Sequence, residues 1–312
     1  MHRLSPLVVV VLSAGLAAAS AAPPAASAPE VFAPGVVSGP SNDADASFTP
    51  EGDDVVFARD AAILLSRRSP AGWSTPRIAP FSGRWMDAQP TLAPDGSALV
   101  FVSNRPLAEG DATHPSGNLW RVERHGGAWG EPVHLPAVVN RDASIWGPSV
   151  AGDGSVYFMD RLGGKGPFKL WRAQWRDGAW AEPVLQALGD AAMQQVDPAV
   201  APDESFIVFS AKHPDTDEHE RLYIAFREGA GWGEAIDLGA PVNLPGSDSN
   251  ESRLAPDGRT LYFASDRQTP PHWPRTPAQA EADLARSAAW DDGNQNIWRV
   301  SLAPWLDARR KR

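Results

Sequence analysis

Thr91-Leu-Ala-Pro-Asp-Gly-Ser-Ala-Leu-Val-Phe-Val-Ser-Asn-Arg105 decides the fold, because versions of it return along the chain. Aligned on the turn, the copies are Phe48-Thr-Pro-Glu-Gly52, Leu92-Ala-Pro-Asp-Gly96, Val150-Ala-Gly-Asp-Gly154, Val200-Ala-Pro-Asp-Glu204 and Leu254-Ala-Pro-Asp-Gly258. Each leads into a strand that carries Phe. The anchors Pro50, Pro94, Gly152, Pro202 and Pro256 stand 44, 58, 50 and 54 residues apart, a spacing in the range of propeller blades.

Working outward from the turn, one strand (a) precedes it and a second (b) follows. Pro supplies the fixed φ and Gly the tolerated positive φ that such a hairpin needs. A third strand (c) alternates apolar and polar residues, as in Asn118-Leu-Trp-Arg-Val122, Lys169-Leu-Trp-Arg-Ala173 and Asn296-Ile-Trp-Arg-Val300. A Gly-rich turn then leads to an outer strand (d), as in Gly127-Ala-Trp-Gly-Glu-Pro132, where Pro is tolerable because its missing N–H faces no neighbour.

The fifth repeat stops after strand c, so its blade lacks a strand. Val31 to Ser38 precedes the first repeat in the position of a strand d. It is expected to complete the fifth blade, closing the ring and covering its edges. The fold expected is therefore all-β: a five-bladed β-propeller of four-stranded antiparallel blades, the last closed by the N-terminal strand. A sixth blade would have to come from Gln268 to Gly293, which is too short for four strands and reads as helical over Ala278 to Ala289.

The expected organisation is a signal peptide over 1–22, an Ala/Pro-rich linker over 23–30 and the propeller over 31–302. Within it lie the closing strand (31–40) and repeats at about 43–80, 87–140, 144–190, 196–243 and 250–302; a basic C-terminal tail, 303–312, follows, its end Arg309-Arg-Lys-Arg312 read as solvated. Met1-His-Arg-Leu4, the apolar run Leu7 to Leu12 and the small residues Ala17 to Ala22 form the signal pattern. No run approaches the ~20 apolar residues of a membrane span, which points to a periplasmic or secreted protein. With no cysteine, neither a lipid-bearing Cys nor a disulfide is available. A net charge of −10 excludes nucleic acid, whose phosphates demand a basic surface. A monomer is expected.

The turns and Phe strands, with Ser265-Asp-Arg267 and its relatives Ser103-Asn-Arg105 and Asp160-Arg161, resemble the WD-like propeller repeats of the TolB-like family of exported bacterial proteins. The likeness covers roughly Phe32 to Leu302. It implies a propeller in the cell envelope, while its motif is specific for fold and poor for function. TolB itself carries an additional N-terminal α/β domain with no counterpart here.

In such a blade strand a lines the channel, so the d–a and b–c connections share one face and the a–b and c–d turns the other. The a–b turns are uniform and the b–c loops vary most, which places function on the d–a and b–c face. Five positions before each anchor stand Asp45, Gln89, Gly147, Asp197 and Glu251 at the channel mouth, with Asp43, Asp87, Asp142 and Asp248 nearby. Such acids can cap strands and bond amides, ring a divalent cation or polyol, or act as a catalytic pair (candidates Asp45, Asp197 and Glu251). Hydrolysis of a glycoside would need two of them about 5 to 10 Å apart.

Four histidines fall in b–c loops: His114, His213, His219 and His272. They are the metal-ligand candidates, though no His-x-x-x-His spacing supports them. Trp85, Asp87, Gln89, Trp146, Trp273 and Trp290 are the ligand-binding candidates, since aromatics at that mouth present a flat apolar surface for a sugar. There is no Gly-x-Ser-x-Gly, no phosphate-binding Gly-rich loop and no Ser-x-Asp-x-Gly-x-x-Trp box. The reading that follows is a non-catalytic binding or protein-interaction scaffold of the envelope, partnered by an envelope protein or an oligosaccharide. The alternative is a glycan-active hydrolase or lyase using the mouth carboxylates.

Overall fold

The structure, a computed structural model, describes residues 27–310 apart from 143 and 214–216. The signal-peptide reading of 1–22 lies outside the described residues.

Local chemistry makes the turns. Asp95, Asp153, Asp203 and Asp257 each accept the amide two residues on with Oδ1, at 2.8–3.0 Å, an Asx turn that reverses the chain between strands a and b. Five antiparallel sheets result. Their inner strands are Asp43–Phe48, Asp87–Leu92, Trp146–Val150, Gln194–Val200 and Asn250–Leu254. Each pairs outward with a strand b and then a strand c, and blades one to four end in short d segments. In the fifth blade the order is Glu30–Val31, Asn296–Ser301, Thr260–Ser265, Asn250–Leu254. The N-terminus thus supplies the outer strand, Val31 opposite Trp298, and the ring closes with five blades. The closing segment is strand only over Glu30–Val31; it then turns, and Ser38 exchanges hydrogen bonds with the backbone of Ile297 at 3.1 Å.

Neighbouring inner strands are stitched by hydroxyls. Ser47 Oγ accepts from the Leu92 amide (2.9 Å), Ser149 Oγ from the Val200 amide (3.0 Å), and Ser252 Oγ donates to the Asp197 carbonyl (2.8 Å). Apolar clusters fill the seams between blades. The residue before each strand-b Phe faces the next blade: Val56, Val100, Tyr157, Val208 and Tyr262. Tyr262 packs on Phe32 and Phe48, and Tyr157 donates to Glu204 at 2.6 Å.

Two helices stand outside the repeats. Helix α1, Pro277–Ala289, lies in the blade-five insert, started by a Thr276/Gln279 capping box and Pro277. Helix α2, Ala303–Arg310, occupies most of the stretch set apart as the basic tail, with Arg309 and Arg310 exposed at its end. Its Trp305 is 2% exposed and packs beside Val208 and Leu222, and Arg309 pairs with Glu228 at 3.1 Å. Hydrophobic burial of one indole outweighs the charge at the chain end. No helix among the described residues is long and apolar enough to cross a membrane.

Candidate functional site at the channel mouth

Every inner strand carries a register shift at the same place, between Ala44 and Ser47, Ala88 and Thr91, Trp146 and Ser149, Val196 and Ala199, and Asn250 and Arg253. The bulged residue is left-handed in each: Asp45 (φ 60), Gln89 (51), Gly147 (58), Asp197 (50) and Glu251 (48). A bulge re-aims its side chain. Here the repeated bulge brings the four side chains into one hydrogen-bonded ring.

Gln89 is the hub of one arc. Its Nε2 donates to Asp197 Oδ1 (3.0 Å) and its Oε1 accepts the Gly147 amide (2.8 Å). On the other arc the Glu251 amide donates to Asp197 Oδ2 (3.3 Å), and the Glu251 and Asp45 carboxyls act on each other's ionisation. Arg253 closes the floor: its Nη2 stands 2.7 Å from Asp45 Oδ1 with both side chains buried, Nε donates to the Pro90 carbonyl (3.2 Å) and Nη1 to that of Ser252 (2.7 Å). Glu220 joins from the b–c loop of blade four, taking a bond from Asn250 at 3.1 Å.

These carboxyls are all shifted upward from their ordinary values. Burial, then the charges of Asp45 and Asp197, pushes Glu251 well above its ordinary value. Burial, then Glu220 and Asp45, raises Asp197 to about 7 against the pull of Arg253. Burial raises Asp45 as well, opposed chiefly by Arg253. Buried carboxylates cannot all ionise easily beside one guanidinium, which is why burial and mutual repulsion push all three upward.

The candidate trio Asp45, Asp197 and Glu251 is therefore brought together, and every member is engaged. Asp45 and Glu251 interact with each other and with Arg253 and Asp197, so the carboxyls are occupied within the protein. Arg253 was not singled out by sequence. Its signal was present: three positions before the anchor stand Ser47, Thr91, Ser149 and Ala199, and only the fifth copy carries a long cation.

The other candidates are dispersed. Asp87 is fully buried and bonds Arg105 (2.7 Å) and Ser82 (2.8 Å), as Asp43 bonds Arg59 at 2.6 Å; both brace a d–a connection. Trp85 is half-buried with Arg84 over its ring at 4.9 Å. Trp146 is half-buried and bonds Ser144 at 3.1 Å. Trp290 anchors the insert edge-on against Trp298, centroids 5.9 Å apart. Trp273 is 66% exposed, with Arg275 over its ring at 4.4 Å. Among the histidines, His114 bonds the Ser116 carbonyl (2.9 Å) and His219 lies 3.6 Å from Asp248, while His272 is exposed. Among the described residues no three His, Asp or Glu side chains are placed to hold a metal ion, so the four histidines do not form the ligand set considered for them.

Around this ring the b–c connections differ sharply. Blade one has the two-residue turn 60–61, whereas its neighbours on either side carry 104–117 in blade two and 266–295 in blade five. The mouth is thus flanked by two long loops, with only a short turn at blade one between them. Leu107, Trp273 and Leu284 on those loops are 64%, 66% and 68% exposed.

Fold and site define a five-bladed propeller with a carboxyl-lined channel mouth. Among solved structures it is similar to a thermostable family-43 glycoside hydrolase (12% identity, TM-score 0.54, 84% of this chain and 89% of that one). It is also similar to an α-L-arabinofuranosidase from Lactobacillus brevis (13%, 0.52, 87% and 92%). A third is a protein from Agrobacterium tumefaciens described as TolB (12%, 0.50, 84% and 91%). At these identities the likeness is one of fold. No family model and no curated protein sequence matches the chain.

Proposed function

We propose that this chain is an exported, non-catalytic binding propeller that docks a protein of the cell envelope on its d–a and b–c face, over the short turn of blade one. One observation carries the reading: the face exposes Leu107, Trp273 and Leu284 on the two loops flanking that turn, while its carboxyls are consumed by one another, by Gln89 and by Arg253. Exposed large apolar side chains on loops of a single face favour a protein partner. The TolB-like fold agrees with such a role by analogy alone.

The test is affinity capture from envelope extract with the mature chain, compared with Trp273→Ala and Leu284→Ser. Both substitutions are on the surface and should leave the melting temperature unchanged. Loss of a captured protein in both variants supports the reading, and equal capture by all three proteins removes it.

A second reading, a glycan-active enzyme, draws on the raised Asp197 beside other carboxyls and on the two glycosidase propellers of similar fold. Hydrolysis of an arabinan or xylan abolished by Asp197→Asn would establish it.

A further inference from the structure

The seam between blades one and two is more open than the next one: its cavity exceeds the ≈ 270 Å³ cavity beside Val100 in the seam between blades two and three. Tyr157 and Tyr262 plug the seams after blades three and five, and Trp305 of α2 fills the one after blade four beside Val208. After blade one the corresponding residue is Val56, and no tryptophan from outside the blades takes up the space. The result is a cavity of ≈ 640 Å³ lined by Val56, Leu65 and Ile78 on its apolar side and by Trp129 from blade two. It opens toward the a–b and c–d turns, on the opposite side of the propeller from the channel mouth. Its volume lies within the ~300–1,000 Å³ of small-molecule sites.

Charge sets this cavity apart from the rest of a chain of net charge −10. Arg67, Arg77 and Arg124 line it, with Asp54 as the only lining carboxylate. Asp54 is shared: it takes two bonds from Arg67 (2.6 and 2.9 Å) and one from Arg124 Nη2 (2.9 Å). Arg124 Nε is buried without a partner. Arg77 pairs with no carboxylate among the described residues. Three guanidiniums against one carboxylate leave the lining two charges positive, and Arg124 also lies over the Trp129 ring, 5.6 Å from its centroid. The Ser66, Ser74 and Thr49 hydroxyls also line the wall.

We infer that this inter-blade cavity binds an acidic sugar of mono- or disaccharide size, Arg77 and Arg124 taking its carboxylate and Trp129 with Ile78 its ring. A planar guanidinium fork matches a carboxylate, a ring face of a sugar suits indole, and the hydroxyls of the wall suit sugar hydroxyls. A neutral sugar would leave Arg77 unpaired, and an inorganic anion would leave the apolar wall uncovered. Asp54 competes with the ligand for Arg124 and so sets the affinity.

Isothermal titration of the mature chain with digalacturonate, with the neutral digalactoside and with inorganic sulfate tests this. Digalacturonate is expected to bind, the neutral sugar and sulfate at least about tenfold more weakly. Arg77→Ala should weaken digalacturonate about tenfold or more, and Asp54→Asn should tighten it severalfold. Arg77 is exposed, so its variant is expected to keep the wild-type melting temperature, which shows that the loss is not one of folding. Trp273→Ala, on the opposite face, should bind as wild type. No heat with digalacturonate, equal binding of the neutral sugar or sulfate, or affinity unchanged by Arg77→Ala would each overturn the inference.

Discussion

Glu251 stands at φ 48 with its carboxyl buried against those of Asp45 and near that of Asp197, an arrangement that no single contact would hold. Non-glycine residues in the left-handed region cost on the order of 1–3 kcal/mol each, and four of the five ring positions bear that cost. The hydrogen bonds of Gln89 and the ion pair of Arg253 keep them there. Arg253→Ala would leave Asp45 buried without its counter-charge and is expected to destabilise the fold by roughly 3–5 kcal/mol, read as a fall in the urea midpoint. Protonation follows the same logic. Burial raises Asp197 to about 7 and Asp43 to about 6, both above the unfolded value near 4, so the folded state holds these protons more tightly. The stability they contribute is complete below about pH 4 and is lost as pH rises through about 6 to 7. The melting temperature should therefore fall between about pH 5 and about pH 8, and Asp197→Asn should flatten that fall. A melting temperature that climbs over this interval would contradict the assignment.

At the scale of elements, closure depends on a strand of two residues. Removing residues 27–38 would bare the outer edge of Asn296–Ser301, and unpaired edges recruit other chains. The truncated protein is expected to self-associate on size-exclusion chromatography, whereas an intact monomer after truncation would show that the N-terminal strand is dispensable. Helix α2 is expected to matter equally: Trp305→Ala should cost about 3–5 kcal/mol, seen as a lowered thermal midpoint.

How far sequence reaches is plain from these elements. The blades, the closing strand and α1 were legible because turn chemistry and alternation repeat, and repetition averages out local noise. The carboxyl register was legible for the same reason, since the five positions fall at one distance from each anchor. Helix α2 was not: a run of Arg and Lys obscured Leu302, Trp305 and Leu306, whose burial depends on a groove that only the folded blade four creates. The inner-strand bulges were illegible as well, because they arise from closing a ring of twisted sheets and have no residue signature beyond the positions they re-aim. The inter-blade cavity lies beside Val56, one of three valines at a position where two sister blades carry tyrosine, and its size was illegible because in blade four Trp305 from outside the repeats lies beside the matching valine, Val208.

On the scale of the whole molecule, the propeller has two unlike faces. One bears the engaged carboxyl ring under long loops with exposed apolar residues; the other bears uniform turns and the arginine-lined seam. A protein partner is proposed for the first and an acidic sugar for the second, with the channel carboxyls proposed to brace the five blades in register. Photo-crosslinking tests the central claim most directly, with a benzophenone side chain placed at Trp273 or Leu107 on the loop face and at Asp257 on the turn face, in the envelope of the producing cell. The account predicts one shared protein adduct from Trp273 and Leu107 and none from Asp257. Adducts from Asp257 alone, or none at either loop position, would contradict it.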